Sequence, residues 1–202
     1  GACEVCGVVR DAFARRGHEA WSCDLLPTES PGRHFQRDVR EVLQDFSFDL
    51  LIAHPPCTYL TRAGIHWNSR IPGRRAKTWA ALQFVEELLN APIPHIALEN
   101  PVGVISTYIR PSDQIIHPWQ FGHPYAKQTA LWLKGLPLLQ PTDVLEPDDF
   151  QVNGRPRWWN QTATGQNCLG PSPDRWKRRS VTYLGIAEAM ADQWPRAIRS
   201  TP

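Results

Sequence analysis

The chain has 202 residues, 42% of them hydrophobic and 21% charged, which describes one globular domain or one domain with an appendage. Its 22 basic and 20 acidic residues sum to +2, which excludes a wholesale polycation but leaves room for a local basic groove. Apolar runs such as Leu50-Leu51-Ile52-Ala53 fall far short of the ~18 residues of a membrane span. Along the chain, Val8 to Arg16 sets Val8, Ala12 and Phe13 on one side of a helix, with Gly17 as its stop. Glu19 to Cys23 reads as a short strand ending at Asp24, and Arg40 to Phe46 as a short helix. Asp49 to Ala53 is a buried strand, stopped by Pro55-Pro56. Thr78 to Leu89 predicts an amphipathic helix buried through Ala81, Leu82, Val85, Leu88 and Leu89. Pro94 to Leu98 is another apolar strand, ending at Glu99-Asn100-Pro101.

The second half is less regular. Thr129 to Leu133 is a strand candidate, Leu136 to Asp149 a proline-punctuated connector, and Asn153 to Arg179 a polar, Trp-bearing loop or small subdomain. Gly185 to Trp194 is a final helix, with Ile186, Ala189, Met190 and Gln193 at helical spacing. The alternation of strand and helix predicts an α/β domain around a mainly parallel sheet. Ligands of such sheets bind outside the carboxyl ends of the strands, and three of those ends carry Asp24, Cys57 and Glu99. The first residues lack the charged start, apolar run and cleavage site of a signal peptide, and the cysteine usage leads to the expectation of a cytoplasmic protein. Five cysteines without framework spacing point to reduced thiols. Cys3-x-x-Cys6 has zinc-ligand spacing without a second pair to match it, so no metal site is expected.

The strongest chemical signal is Ala53-His54-Pro55-Pro56-Cys57-Thr58. A lone cysteine is more often a buried structural residue than a nucleophile. Here two prolines stiffen the loop and fix the direction of the thiol, and a second strand end carries the carboxylate Glu99. A thiolate and a nearby carboxylic acid together suit addition to a ring carbon with protonation of the adjacent ring nitrogen. His54 reads as a histidine that satisfies a backbone group, or that touches a substrate.

Pro-Pro-Cys at one strand end, followed by Glu99-Asn100-Pro101 at another, resembles the cytosine-5 DNA methyltransferase family, in particular its small phage-type members. Ala2-Cys3-Glu4-Val5-Cys6-Gly7 sits where that family has its cofactor-binding turn, although the usual Phe-x-Gly-x-Gly is reduced to Gly7. Asp24 matches the family's acidic residue for the cofactor ribose, and Arg37-Asp38-Val39 resembles the turn whose Asp contacts the adenine. Ser180-Val181-Thr182 resembles the Asn-Ser-Val turn that returns to the cofactor pocket. The match covers most of the chain in the right order.

The resemblance implies a methyltransferase sheet that binds S-adenosylmethionine, Rossmann-like, with helices on both faces. Cys57 would attack C6 of a cytosine flipped out of DNA, and Glu99 would protonate N3. The methyl group would then pass to C5. Glu4, Gly7, Asp24, Asp38, Pro55, Ser180 and Thr182 would line the cofactor site. Arg62, Asn100, Lys127, Arg155, Arg157, Arg178 and Arg179 would meet the DNA. Lys127-Gln128-Thr129 stands where the family carries an Arg- and Gln-bearing strand. The thiol would be activated by backbone N–H groups of its loop, by Arg62, or by a basic residue such as Lys127.

Residues 1–140 would form the catalytic core, 141–179 a reduced recognition segment, and 180–202 a returning C-terminal helix. Arg62, Arg70, Arg74, Arg75 and Lys77 lie in sixteen positions without an acid, and Arg155, Arg157, Arg175, Lys177, Arg178 and Arg179 are interleaved with Trp158, Trp159 and Trp176. Cations neutralise phosphates and aromatic faces accept splayed bases, although such clusters also occur as plain solvated faces. The competing readings are a DNA-binding relative without catalysis and an amino-methyltransferase. The flanks His54 and Cys57 disfavour the second. The sequence leaves oligomeric state open.

Overall fold

Leu50 to Ala53 and Ile96 to Leu98 alternate between two interiors, and that alternation sets the architecture. Leu51, Ala53, Ile96 and Leu98 join Val39, Val42, Leu82, Val85 and Leu88 in one apolar cluster. Ile52 and Ala97 join Val9, Ala12, Phe13, Ile186, Met190 and Trp194 in the other. Strands apolar on both faces belong at the centre of a sheet covered on both sides.

The computed structural model describes residues 1–170, 172 and 181–200. Its strands are β1 (Ser22–Asp24), β2 (His34–Gln36), β3 (Leu50–Ala53), β4 (His95–Pro101), β5 (Gln114–Ile116), β6 (Thr129–Lys134), β7 (Asp149–Phe150) and β8 (Pro156–Arg157). Its α-helices are α1 (Val8–Ala14), α2 (Val39–Asp45), α3 (Arg62–Ile65), α4 (Arg74–Leu89), α5 (Ile105–Tyr108) and α6 (Leu184–Ser200). The fold is therefore mixed α/β, with α1 and α6 on one face of the sheet and α2 and α4 on the other. No helix is long and apolar enough to cross a membrane among the described residues.

The main strands run in the order β3-β4-β6-β5, with β3 and β4 parallel and β6 antiparallel to both β4 and β5. Parallel β1 and β2 form the other wing. Ala2 joins the two wings, bridging in parallel to Cys23 on one side and to Ala53 on the other. Its amide donates to the Ile52 carbonyl at 2.7 Å, and the His54 amide donates to its carbonyl at 2.9 Å. The chain thus builds outward from Ala2 through β1 and β2, then crosses back to start the second wing at β3. Ligands of open α/β sheets bind outside the carboxyl ends of the strands at such a reversal, here the ends of Ala2 and β3.

Several elements depart from the sequence reading. α4 begins at Arg74 rather than Thr78, because its first turn, Arg74-Arg75-Ala76-Lys77, is polar and carries no buried stripe. β4 does not stop at Leu98: Glu99, Asn100 and Pro101 pair with Leu131, Ala130 and Thr129. α6 runs past Trp194 through Pro195 to Ser200. β2, β5 and the β7–β8 hairpin span two or three residues each, too few to show a period.

Within 141–179 the hairpin is held by Arg157 against Asp149 at 2.5 Å. Trp158, 8% exposed, stacks on Trp119 with centroids 5.4 Å apart. Asn160 exchanges two hydrogen bonds with the backbone of Ala126, at 2.9 and 2.8 Å. The segment is therefore docked on the stretch that leads into β6.

Candidate functional site

In a parallel pair, residues in register share a face, so the Ala53–Leu98 partnership places His54 beside Glu99. His54 Nδ1 lies 2.9 Å from Glu99 Oε2, and the two side chains are 11% and 13% exposed. Burial pushes the Glu99 carboxyl up, but the Lys127 ammonium and the His54 hydrogen bond outweigh it and hold Glu99 below the usual carboxylate range. His54 Nε2 is buried without a hydrogen-bond partner. The sequence reading gave His54 no firm role, and the missing signal was the strand register that sets it against Glu99.

The loop that carries Cys57 is stitched to the end of β4. Asn100 donates from Nδ2 to the Pro55 carbonyl at 2.8 Å, and at 1% exposure it is a buried tie. The Cys57 carbonyl accepts from the Leu60 and Thr61 amides at 2.9 and 3.2 Å, closing a tight turn around the cysteine. The Leu60 carbonyl in turn accepts from Val104 at 2.8 Å, and Thr61 bridges to Gly103. A Cβ at Gly103 would lie 1.9 Å from the Leu60 oxygen, so only glycine permits this approach. Cys57 itself is a half-exposed thiol outside any disulfide. Arg62 is exposed on α3, just past the loop. Arg74 donates to the Thr58 carbonyl at 3.1 Å, and the Arg74 and Lys77 cations lie over the Tyr59 ring at 4.8 and 5.9 Å. The acid-free basic segment is thus folded against the Cys57 loop.

A second group of residues gathers at the reversal point. Glu4 is 3% exposed, and its Oε1 accepts from the amides of Val9 and Arg10 at 2.6 and 3.3 Å, so it holds the start of α1. Its Oε2 is buried with no hydrogen-bond partner. Gly7 caps α1 at φ 70°, where a Cβ would meet the Arg10 guanidinium at 2.5 Å. Cys3 sits at φ 54°, a left-handed conformation that a non-glycine residue holds at a cost of about 1–3 kcal/mol.

Asp24 ends β1, and its Oδ1 accepts from Leu26 at 3.0 Å. Asp38 caps α2 through the Arg40 amide at 2.9 Å, and its pairing with the Arg40 guanidinium holds its carboxyl below the usual range. Pro55 is buried. Burial raises the Cys6 thiol, against the backbone amides of Val8 and Thr182 that it meets. Thr182 is thereby brought back to the front turn.

Lys127 links Glu99 to the residues just ahead of α6. Its ammonium lies 5.8 Å over the Tyr183 ring, and it is the largest charge acting on Glu99. His123 and Tyr125 pack on the same ring at 5.2 and 5.6 Å. Arg155 is exposed and Arg157 half-buried on the hairpin. Ser180, Arg178 and Arg179 lie outside the described residues.

No protein-family profile matches the sequence, and no curated protein is similar to it. Among solved structures, the fold is similar to an E. coli crystal structure described as a "putative DNA modification methyltransferase encoded within prophage". The two share 14% identity over 74% of this chain, with a TM-score of 0.43. The chain spans 55% of the length of that protein.

Proposed function

We propose that this protein transfers a methyl group from S-adenosylmethionine to C5 of a flipped-out cytosine in DNA, through a covalent bond between Cys57 and C6. The observation that carries the reading is the stitching of the Cys57 loop to the strand end bearing Glu99, next to the point where strand order reverses. Addition to a pyrimidine needs a nucleophile and a proton donor held in fixed relation. Asn100, Gly103 and the prolines would hold the Cys57 loop against the strand that carries Glu99 before any substrate arrives.

S-adenosylmethionine, when bound, supplies an electrophilic methyl group, and the acceptors at the reversal suit its hydroxyl and amino groups. Asp24 would take the ribose hydroxyls, and Asp38 the adenine. Glu4 would act by fixing the Gly7 turn, which no side chain can fill. Pro55, Ser180 and Thr182 would close the pocket. The chain's own steps are these. The Cys57 thiolate bonds to C6 as a proton passes to N3 from the Glu99 side. After methylation the C5 proton passes to solvent water, Sγ leaves C6 as the thiolate, and N3 returns its proton. Arg62 and the Arg74–Lys77 cations would neutralise phosphates flanking the flipped base, with Arg155, Arg157, Arg178 and Arg179 on the recognition segment. We assign residues 1–140 to the catalytic core, 141–179 to that recognition segment and 180–202 to the returning helix.

The test is mass spectrometry after incubation with S-adenosylmethionine and oligonucleotides carrying 5-fluorocytosine, whose fluorine cannot leave as the proton does. The expected result is a protein–DNA adduct mapped to Cys57 and lost in Cys57→Ser. DNA binding without an adduct, and without S-adenosylmethionine binding by calorimetry, would identify a non-catalytic DNA-binding protein instead.

A further inference from the structure

The Glu99 carboxylate has two cationic or proton-bearing neighbours, His54 from the end of β3 and Lys127 from the segment ahead of β6. Lys127 acts at a distance, whereas His54 makes a hydrogen bond of 2.9 Å in a nearly water-free setting. The backbone of His54 is fixed by the 2.9 Å bond from its amide to the Ala2 carbonyl, and its other ring nitrogen is buried with no protein partner. A histidine that merely satisfied its surroundings would not leave that nitrogen orphaned.

We propose that His54 is a positioning residue and proton reservoir for Glu99: the proton delivered to the base nitrogen resides on the His54–Glu99 pair and reaches Oε2 from Nδ1. This assignment rests on the reading of the protein as a cytosine methylase. The step balances within the pair. As Sγ adds to C6, Glu99 gives a proton to N3 and takes one from His54 Nδ1, leaving the imidazole neutral. Once solvent water has taken the C5 proton and Sγ departs as the thiolate, N3 returns its proton through Glu99 to the same nitrogen. No other donor is consumed.

The arrangement answers a specific difficulty. A carboxyl held below its usual range is ionised at neutral pH and has no proton to give. A proton shared across the 2.9 Å contact belongs to the pair rather than to either residue, so the pair can hold a proton that the carboxylate alone lacks. Lys127 is the charged group that acts on Glu99 from outside the pair.

The test compares the pH profile of 5-fluorocytosine trapping in the wild type and in His54→Asn. Asparagine keeps an N–H donor near the position of Nδ1 but has no proton to lose. The expected result is an alkaline limb displaced to lower pH in His54→Asn, so that trapping falls by roughly tenfold to a hundredfold at pH 8 and by much less at mildly acid pH. Thermal unfolding of both proteins separates this from misfolding, because loss of fold lowers the rate at every pH alike. Parallel profiles in a wild type that traps would overturn the role of His54 and leave the methylase reading intact. A wild type that binds DNA and S-adenosylmethionine but never traps would remove the methylase reading, and this assignment with it.

Discussion

The side-chain amide of Asn100 holds the carbonyl of Pro55 at 2.8 Å, so the strand that carries Glu99 fixes the start of the loop that carries Cys57. The tie is buried, and its loss strands a carbonyl without solvent. Asn100→Ala should therefore destabilise the fold by about 1–3 kcal/mol, the range for an unsatisfied buried polar group. Urea unfolding gives that figure. Trapping should slow by more than the small unfolded fraction explains, while DNA binding by fluorescence anisotropy stays close to wild type. Unchanged trapping in a folded Asn100→Ala protein would mean that the loop holds its course without this bond.

Gly103 makes the second closure. A methyl group there would sit 1.9 Å from the Leu60 oxygen and 3.0 Å from the Thr61 Cα, both backbone atoms that cannot swing aside. Gly103→Ala should cost about 1–3 kcal/mol as overpacking and displace the turn that follows Cys57. Gly170 is the internal control, since nothing lies within 4 Å of a Cβ there. Gly170→Ala should stay within about 0.5 kcal/mol of wild type. Equal effects at the two sites in urea unfolding would refute the close approach.

Much of this framework was legible in the sequence, and the reasons are specific. Ile52 and Ala97 lie between apolar neighbours, so both central strands announced themselves as two-sided. Pro55-Pro56 marked the exit at which Cys57 appears, and Glu99 followed an apolar run. What stayed hidden depends on register and on short spans. The His54–Glu99 contact exists only because Ala53 pairs with Leu98, a partnership between residues far apart in sequence. β4 runs on through Asn100 and Pro101 because β6 pairs with it there, and the local polarity argued for a stop. Asn100, grouped with the DNA contacts from sequence, spends its amide on Pro55. Glu4, grouped with the cofactor residues, spends one oxygen on the first turn of α1.

The Glu99 carboxyl also gives the fold a pH dependence with a defined sign. Burial raises it, and Lys127 with His54 lowers it further than burial lifts it, so its folded value lies below the ordinary 4.5. A group depressed in this way contributes stability that is complete above that ordinary value and is lost as pH falls through its folded value. Glu99→Gln removes the contribution while keeping the shape. The stability difference between wild type and Glu99→Gln should therefore be largest near neutrality and should shrink as pH falls below 4.5. Urea unfolding across that range measures it. A difference that stays constant with pH would mean the carboxyl is not held ionised by its neighbours. The same variant should lower trapping by about a hundredfold or more, the contribution of a positioned acid–base group.

The thiols provide the remaining check, because only one of them belongs in the adduct. Burial pushes Cys3 up to about 12 and Cys23 up to about 11, and Cys23 donates to the Arg37 carbonyl at 3.3 Å. At pH 8 their thiolate fractions are of the order of 10⁻⁴ and 10⁻³, and the thiolate is the reactive form. Cys168 is exposed. Brief alkylation with iodoacetamide at pH 8, mapped by peptide mass, should therefore label Cys168 well before Cys3 or Cys23. Prior trapping on 5-fluorocytosine DNA should protect Cys57 and leave the labelling of Cys168 unchanged. Rapid labelling of Cys3 or Cys23 in the native protein would be informative in a different way. It would mean that the front turn opens readily and that Ala2 does not hold the two wings of the sheet together.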